Sequence, residues 1–241
     1  MVAVIAVALV ASGGIAACGS SRARFVDGAG SGAAPTASSK PPSSLGAGDT
    51  NTFTLSAVGD TIMGSAPDHL PPSNGKGFFA PVESALRSDL QMANLEEPLT
   101  NVATSSKCGA TPTAPATPAA PPSPGASKSP APPKTCFAFR SPPSYAGVLK
   151  DAGFDLVNIA NNHTLDFGPA GRNDTEEALT SAGVKYTGPP GMITMITVKG
   201  VHVAVLGFAP YSWANDLRNV SAAQALVREA KQRADVVIIQ A

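Results

Sequence analysis

A mostly parallel α/β sheet is the fold class this sequence predicts, on three observations. β-type apolar runs alternate with helical patterns from Phe53 onward, polar loops follow directly after strands, and Gly, Pro and Ser gather outside the periodic segments. In sheets of this class, function gathers at the carboxyl ends of the strands. At 241 residues the chain holds one domain of ordinary size plus a tail, and its 23 Gly and 23 Pro make the folded part shorter than the whole. The 17 basic and 17 acidic residues cancel, and no Lys/Arg cluster forms an electrostatic footprint, so a nucleic-acid partner is excluded.

The chain opens with MVAVIAVALVASGGIAA, small and apolar up to Cys18. This is a signal-peptide pattern (residues 1–18), too short for a comfortable span, which needs about 20 apolar residues. Ile15-Ala16-Ala17-Cys18 resembles a bacterial lipobox, in which the cysteine is lipidated after cleavage, although no Lys or Arg precedes the apolar run. Ordinary cleavage after Ala17 and an uncleaved anchor are the alternatives. Each of these implies export, and the lipobox places the chain on the extracytoplasmic face of the cell membrane. Residues 19–52, poor in large apolar side chains, are expected to form a disordered tether.

The domain, 53–241, starts with the strand Phe53 to Val58, closed by Gly59-Asp60. Phe79, Val82, Ala85, Leu86 and Leu90 recur at helical spacing, with Pro81 in the first turn, which predicts a helix over 79–90. Gln91 to Asn94 is a short strand delivering Leu95-Glu96-Glu97-Pro98 to a loop. About 102–135 is a Pro/Ala/Ser/Thr-rich insertion bracketed by Cys108 and Cys136. In an oxidising compartment these two thiols can pair, pinching the insertion off at its base, with a gain of roughly 3 to 4 kcal/mol by chain entropy; two free buried thiols are the alternative.

Ser141 is the expected N-cap of a helix with Pro142 at its first position and Tyr145, Val148, Leu149 and Ala152 on one face, ending at Gly153. Phe154 to Ala160 is a strand opening into Asn161-Asn162-His163. A helix over 169–182 stops at Gly183, and Val184 to Thr187 is a strand. Runs 192–198 and 201–208 flank Lys199-Gly200 as a hairpin. A helix over 221–233 and a buried-type strand over 235–240 complete the chain.

Three loops thus place polar groups directly after strands: Gly59-Asp60, Asn94-Leu95-Glu96, and Asn161-Asn162-His163 with Asp166 nearby. Carboxylates suit hard cations, and the imidazole with an amide oxygen widens the set to Mn, Fe or Zn. A two-metal site needs one carboxylate that bridges and an uncharged oxygen such as Asn, roles that Asp60, Glu96 and Asn162 could supply. Each loop alone is equally compatible with an ordinary polar turn or cap.

In order along the chain, Val58-Gly59-Asp60, Ala93-Asn94-Leu95-Glu96 and Leu156-Val157-Asn158-Ile159-Ala160-Asn161-Asn162-His163 with Asp166 and Gly168 resemble the CapA family of bacterial capsule-synthesis proteins. That family is associated with poly-γ-glutamate and related to calcineurin-like metallophosphoesterases. The resemblance implies a four-layer α/β/β/α metallophosphoesterase-like sandwich. It implies metal-binding roles for Asp60, Glu96 and Asn162, a catalytic role for His163 at a leaving oxygen, and support from Asn94, Asn161 and Asp166. Three departures stand against a complete site, the first being Asn94-Leu95-Glu96 where the related phosphoesterases carry a Gly-Asp-x-x-Asp type motif. Ile62 stands where the Asp-x-His motif of the related phosphoesterases has its His, and the His-Trp-Gly and Gly-His-x-Pro-His loops expected after the last strand are missing by Ala241, so the domain is expected to be incomplete at its C-terminus and its metal position to lack ligands. His69 and His202 are poor substitutes, one in a Pro-rich loop and one opening a strand. Three roles follow as expectations: a component of capsule polymer synthesis or export, partnered by the membrane, an anionic capsule or cell-wall polymer and membrane synthase or export proteins; a metal-dependent envelope phosphoesterase or other hydrolase; or an inactive fragment of one.

Overall fold

Two β-sheets lie face to face between helices in the computed structural model, which describes residues 24–27, 52–108 and 136–241. The signal sequence with Cys18, nearly all of the tether and most of the insertion lie outside the described residues. The first sheet is wholly parallel, in the order β2 (Leu55–Thr61), β3 (Leu90–Leu95), β4 (Leu156–Asn158) and β5 (Lys185–Thr187). The second runs β1 (Arg24–Asp27), β6 (Met192–Val198), β7 (Val201–Ala209) and β8 (Asn215–Asp216), with β9 (Val236–Gln240) also paired to β7. Among the described strands, only β6 and β7 pair antiparallel. Their turn, Lys199-Gly200, has both residues at positive φ, 48° and 82°, which suits the twist of a two-residue hairpin.

Period-2 alternation sorts the side chains into layers. Leu90 and Met92 of β3 and Leu156 of β4 meet Val198, Val201, Val203 and Val205 between the sheets. Ala93, Leu95 and Val157 point the other way, onto Tyr145, Ala146 and Leu149 of α2 (Tyr145–Asp151) and Leu179 of α3 (Gly168–Ala182). On the far side, Ile193, Ala204, Leu206 and Phe208 pack against Ala230 and the apolar face of α4 (Val220–Lys231). The result is the expected α/β/β/α order of layers. Strands β3 and β4 are largely buried, as inner parallel strands covered on both faces should be. α3 stops at Gly183, whose φ of 71° is the left-handed cap its sequence implies.

Four local expectations are corrected. The helix expected over 79–90 shrinks to α1 (Glu83–Leu86), because Ser88 and Asp89 turn their side chains onto the backbone of Ser56 and Thr54 and lead straight into β3. Ser141 is no N-cap: it is fully buried, bridging Leu99 and donating Oγ to Glu97, and α2 starts after Ser144. The strand expected over 154–160 is only Leu156–Asn158, since Asn158 bonds back to Ala160 and ends the ladder. Within the stretch read as tether, Arg24–Asp27 forms a strand parallel to β6, with the Arg233 guanidinium 3.8 Å from the Phe25 ring centre.

Candidate functional site

The carboxyl ends of β2, β3 and β4 converge on one hydrogen-bonded network. A bulge between Val58 and Asp60 shifts the β2 register so that Asp60 stands opposite Asn94. The Asn94 amide is the hub: its Nδ2 donates to Asp60 Oδ1 at 2.8 Å and to Glu96 Oε2 at 2.5 Å. Its Oδ1 accepts from the amides of Asn158 and Asn161, each at 3.2 Å. With donors on one side and acceptors on the other, the amide has one satisfying orientation. Asn161 Nδ2 donates also to the Leu95 carbonyl, and Thr164 closes the turn by donating to Ile159, so the loop after β4 is tied to the end of β3.

That loop delivers His163. Its Nδ1 lies 2.7 Å from Oδ2 of the fully buried Asp166, which leaves Nε2 facing the carboxylates, 3.9 Å from Glu96 Oε1. Asp166 also receives the Lys107 ammonium at 3.0 Å on Oδ1 and the Phe139 backbone N–H at 3.0 Å on Oδ2. The Phe139 ring lies 4.7 Å from the imidazole, centre to centre. On another flank, Trp213 Nε1 donates to the Asn161 carbonyl and stacks on Tyr211 at 4.5 Å.

Burial is the main force raising the Glu96 carboxyl above its ordinary value; the Asn94 amide opposes it and nearby Asp60 reinforces it. Its neighbour Glu97 points into the protein and does different work. Glu97 Oε1 accepts from the Met63 N–H at 2.6 Å and Oε2 from Ser141 Oγ at 2.9 Å, and burial pushes its carboxyl up to about 7 despite these donors.

The structure therefore gathers Asp60, Asn94, Glu96, Asn161, His163 and Asp166, and leaves the Asn162 side chain exposed, with only the Asn162 carbonyl reaching the group through Lys107 at 3.5 Å. Ile62 is exposed, His69 sits in an exposed turn closed by its own backbone to Ser65, and His202 pairs with Asp235 away from the cluster. Cys108 and Cys136 are joined by a disulfide, Cα to Cα 5.7 Å. Lys107, Phe139 and Trp213 carry no sequence motif, and Asn158 stands in the third loop motif without a role of its own. The only sequence signal for Lys107 was its place beside a cysteine.

The donors are of the hard to borderline type that Mn, Fe or Zn would take. They do not fit a metal as arranged. Among the described residues no three of His, Cys, Asp and Glu come close enough to hold one, and the Asn94 group between Asp60 and Glu96 is an N–H donor, whereas a cation needs an oxygen there. What the network can do is hold a proton at His163 Nε2 and present Asp60 and Glu96 as acceptors.

Comparison with known proteins places these elements. The family described as bacterial capsule synthesis protein PGA_cap matches residues 54–241. The chain is 41% identical over 66 residues to the capsule biosynthesis protein CapA of Bacillus anthracis, covering 25% of this chain and 16% of that protein. It is 33% identical over 110 residues to the PGA biosynthesis protein CapA of Bacillus subtilis strain 168, covering 39% of this chain and 29% of that protein. The matched stretches thus span under a third of these relatives.

Proposed function

Because the chain belongs to the family of bacterial capsule synthesis proteins described as PGA_cap, we propose that it acts at the cell envelope in the synthesis or export of a capsule polymer of the poly-γ-glutamate type, with the strand-end network as its working site. The observation that supports this most is the coincidence of the two: the family match covers residues 54–241, and the network is built wholly inside that span. Lipidated Cys18 would hold the domain at the outer face of the membrane, within reach of membrane synthase or export proteins.

The charge of the site narrows how it would grip such a polymer. Lys107 is already neutralised by Asp166, which leaves the exposed Asp60 and the largely buried Glu96 as the carboxylates beside Asn94. Carboxylates of a polyanion are repelled by that pair. The network therefore engages the polymer's amide N–H groups or its terminal amine.

A second reading, an envelope hydrolase, is favoured by one observation. Asp166 orients the His163 imidazole so that Nε2 faces the site, where it can hold or deliver a proton to a leaving oxygen. Titration calorimetry of the full chain with poly-γ-glutamate separates the two. Binding that weakens about tenfold in Glu96→Gln, the worth of one charge-assisted hydrogen bond of about 1.4 kcal/mol, supports the first; equal binding by wild type and variant, or none by either, counts against it. Turnover of a phosphoester or amide substrate that disappears in His163→Ala supports the second.

A further inference from the structure

We infer that the Cys108–Cys136 bridge is a site-building element, clamping the stem of the insertion so that Lys107 and Phe139 act as positioning residues for His163. The inference rests on the strand-end network being the working site, but its test reads His163 directly and is independent of any ligand.

The case starts at Asp166. Its carboxylate is fully buried, and a buried charge needs partners close at hand. The His163 imidazole is one; the Lys107 ammonium and the Phe139 N–H are the others, and both come from the stem. The first arm of the stem is sewn to the same turn. Ser105 Oγ donates to the Asp166 carbonyl at 2.8 Å, Ser106 N to the same oxygen at 2.9 Å, and Ser106 Oγ to the Leu165 carbonyl at 2.9 Å. The Lys107 ammonium then lies 3.3 Å from His163 Nδ1. The second arm brings the Phe139 ring against the imidazole, backed by Phe137, whose ring centre is 6.4 Å away.

Neither arm is near His163 in sequence, and the two arms are 28 residues apart at the cysteines. Bringing both onto one imidazole costs loop-closure entropy, which a covalent link at the base removes from the unfolded chain. The link sits where that effect is greatest, next to Lys107 on one side and three residues before Phe139 on the other. The bridge thus limits the ways in which Asp166 can lose its partners, and Asp166 in turn fixes which imidazole nitrogen faces Glu96.

The test uses the full chain and its three histidines. Diethyl pyrocarbonate labelling, mapped by mass spectrometry, is followed for His69, His163 and His202 in the wild type, Cys108→Ser/Cys136→Ser, Lys107→Met and Lys107→Arg. The expected result is severalfold faster labelling of His163 in the first two variants, a rate near wild type in Lys107→Arg, and unchanged rates at His69 and His202. The His163 ring-proton resonances, displaced by the ring current of Phe139, are expected to move in Phe139→Leu and in the disulfide-free variant. If labelling rises at all three histidines in Cys108→Ser/Cys136→Ser, that variant has unfolded and Lys107→Met decides. His163 labelling at the wild-type rate in Lys107→Met, with the ring resonances unmoved in Phe139→Leu, overturns the inference.

Discussion

A Cβ placed on Gly207 would collide with Oδ1 of Asn158. Gly207 lies on the inner face of β7, in the second sheet, and Asn158 ends β4 in the first, so the bare backbone of one sheet makes room for the amide that holds Asn94 in the other. Gly207→Ala is expected to destabilise by about 1 to 3 kcal/mol, the usual cost of forcing volume into a packed interior, read by urea unfolding. In Asn158→Ala/Gly207→Ala the two costs should be strongly non-additive, since the first substitution removes the atom the second collides with. Additive costs would mean that the contact does not govern the packing here.

Glu97 gives the protein a pH dependence of defined sign. Its carboxyl titrates near 4.5 when unfolded and is pushed up to about 7 in the fold, so between those values the native state keeps a proton that the unfolded chain has lost. The stability this contributes is fully present below 4.5 and is lost as pH rises through about 7. Its size is on the order of 3 kcal/mol. Urea unfolding between those pH values should show this decline in the wild type and a flatter profile in Glu97→Gln, which keeps an acceptor for Met63 without a titrating group. Parallel profiles would show that another group sets the slope.

The Asn94 hub leads to an expectation about metal. With an amide N–H between Asp60 and Glu96, the chain dialysed against metal-free buffer should retain Mn, Fe and Zn well below one equivalent, and Asp60→Ala/Asn162→Ala should retain the same. One equivalent in the wild type that falls in the double variant would show that the Asn94 amide turns over to place its oxygen toward a cation. Elemental analysis by mass spectrometry reads this directly.

How much of this was legible in the sequence divides by distance along the chain. Alternating strands and helices, the left-handed stop at Gly183 and the Lys199-Gly200 turn follow from local periodicity and backbone preference, and they agree with the structure. The three polar loops were placed after strands because in parallel sheets those ends share one side. Partnership over long separations was not legible. Ser141 looks like a helix cap until Glu97, 44 positions away, is seen to need its hydroxyl. Arg24–Asp27 holds Phe25 and Val26 within an otherwise Gly/Ala/Ser/Pro-rich stretch, too short an apolar run to predict a strand, and it pairs along the edge of β6. Asn94 was noted as support, yet it is the residue on which Asp60, Glu96, Asn158 and Asn161 all meet, a role set by the β2 bulge that no local pattern announced.

The most direct measurement is capsule polymer on cells from which this gene has been deleted, each complemented with the wild type, Glu96→Gln, His163→Ala or the exposed control Glu177→Gln, at matched protein levels. The expected result is polymer restored by the wild type and by Glu177→Gln, and lost with both network variants. Full restoration by Glu96→Gln and His163→Ala, or a deletion that leaves the polymer unchanged, would contradict the assignment of capsule function to the strand-end network.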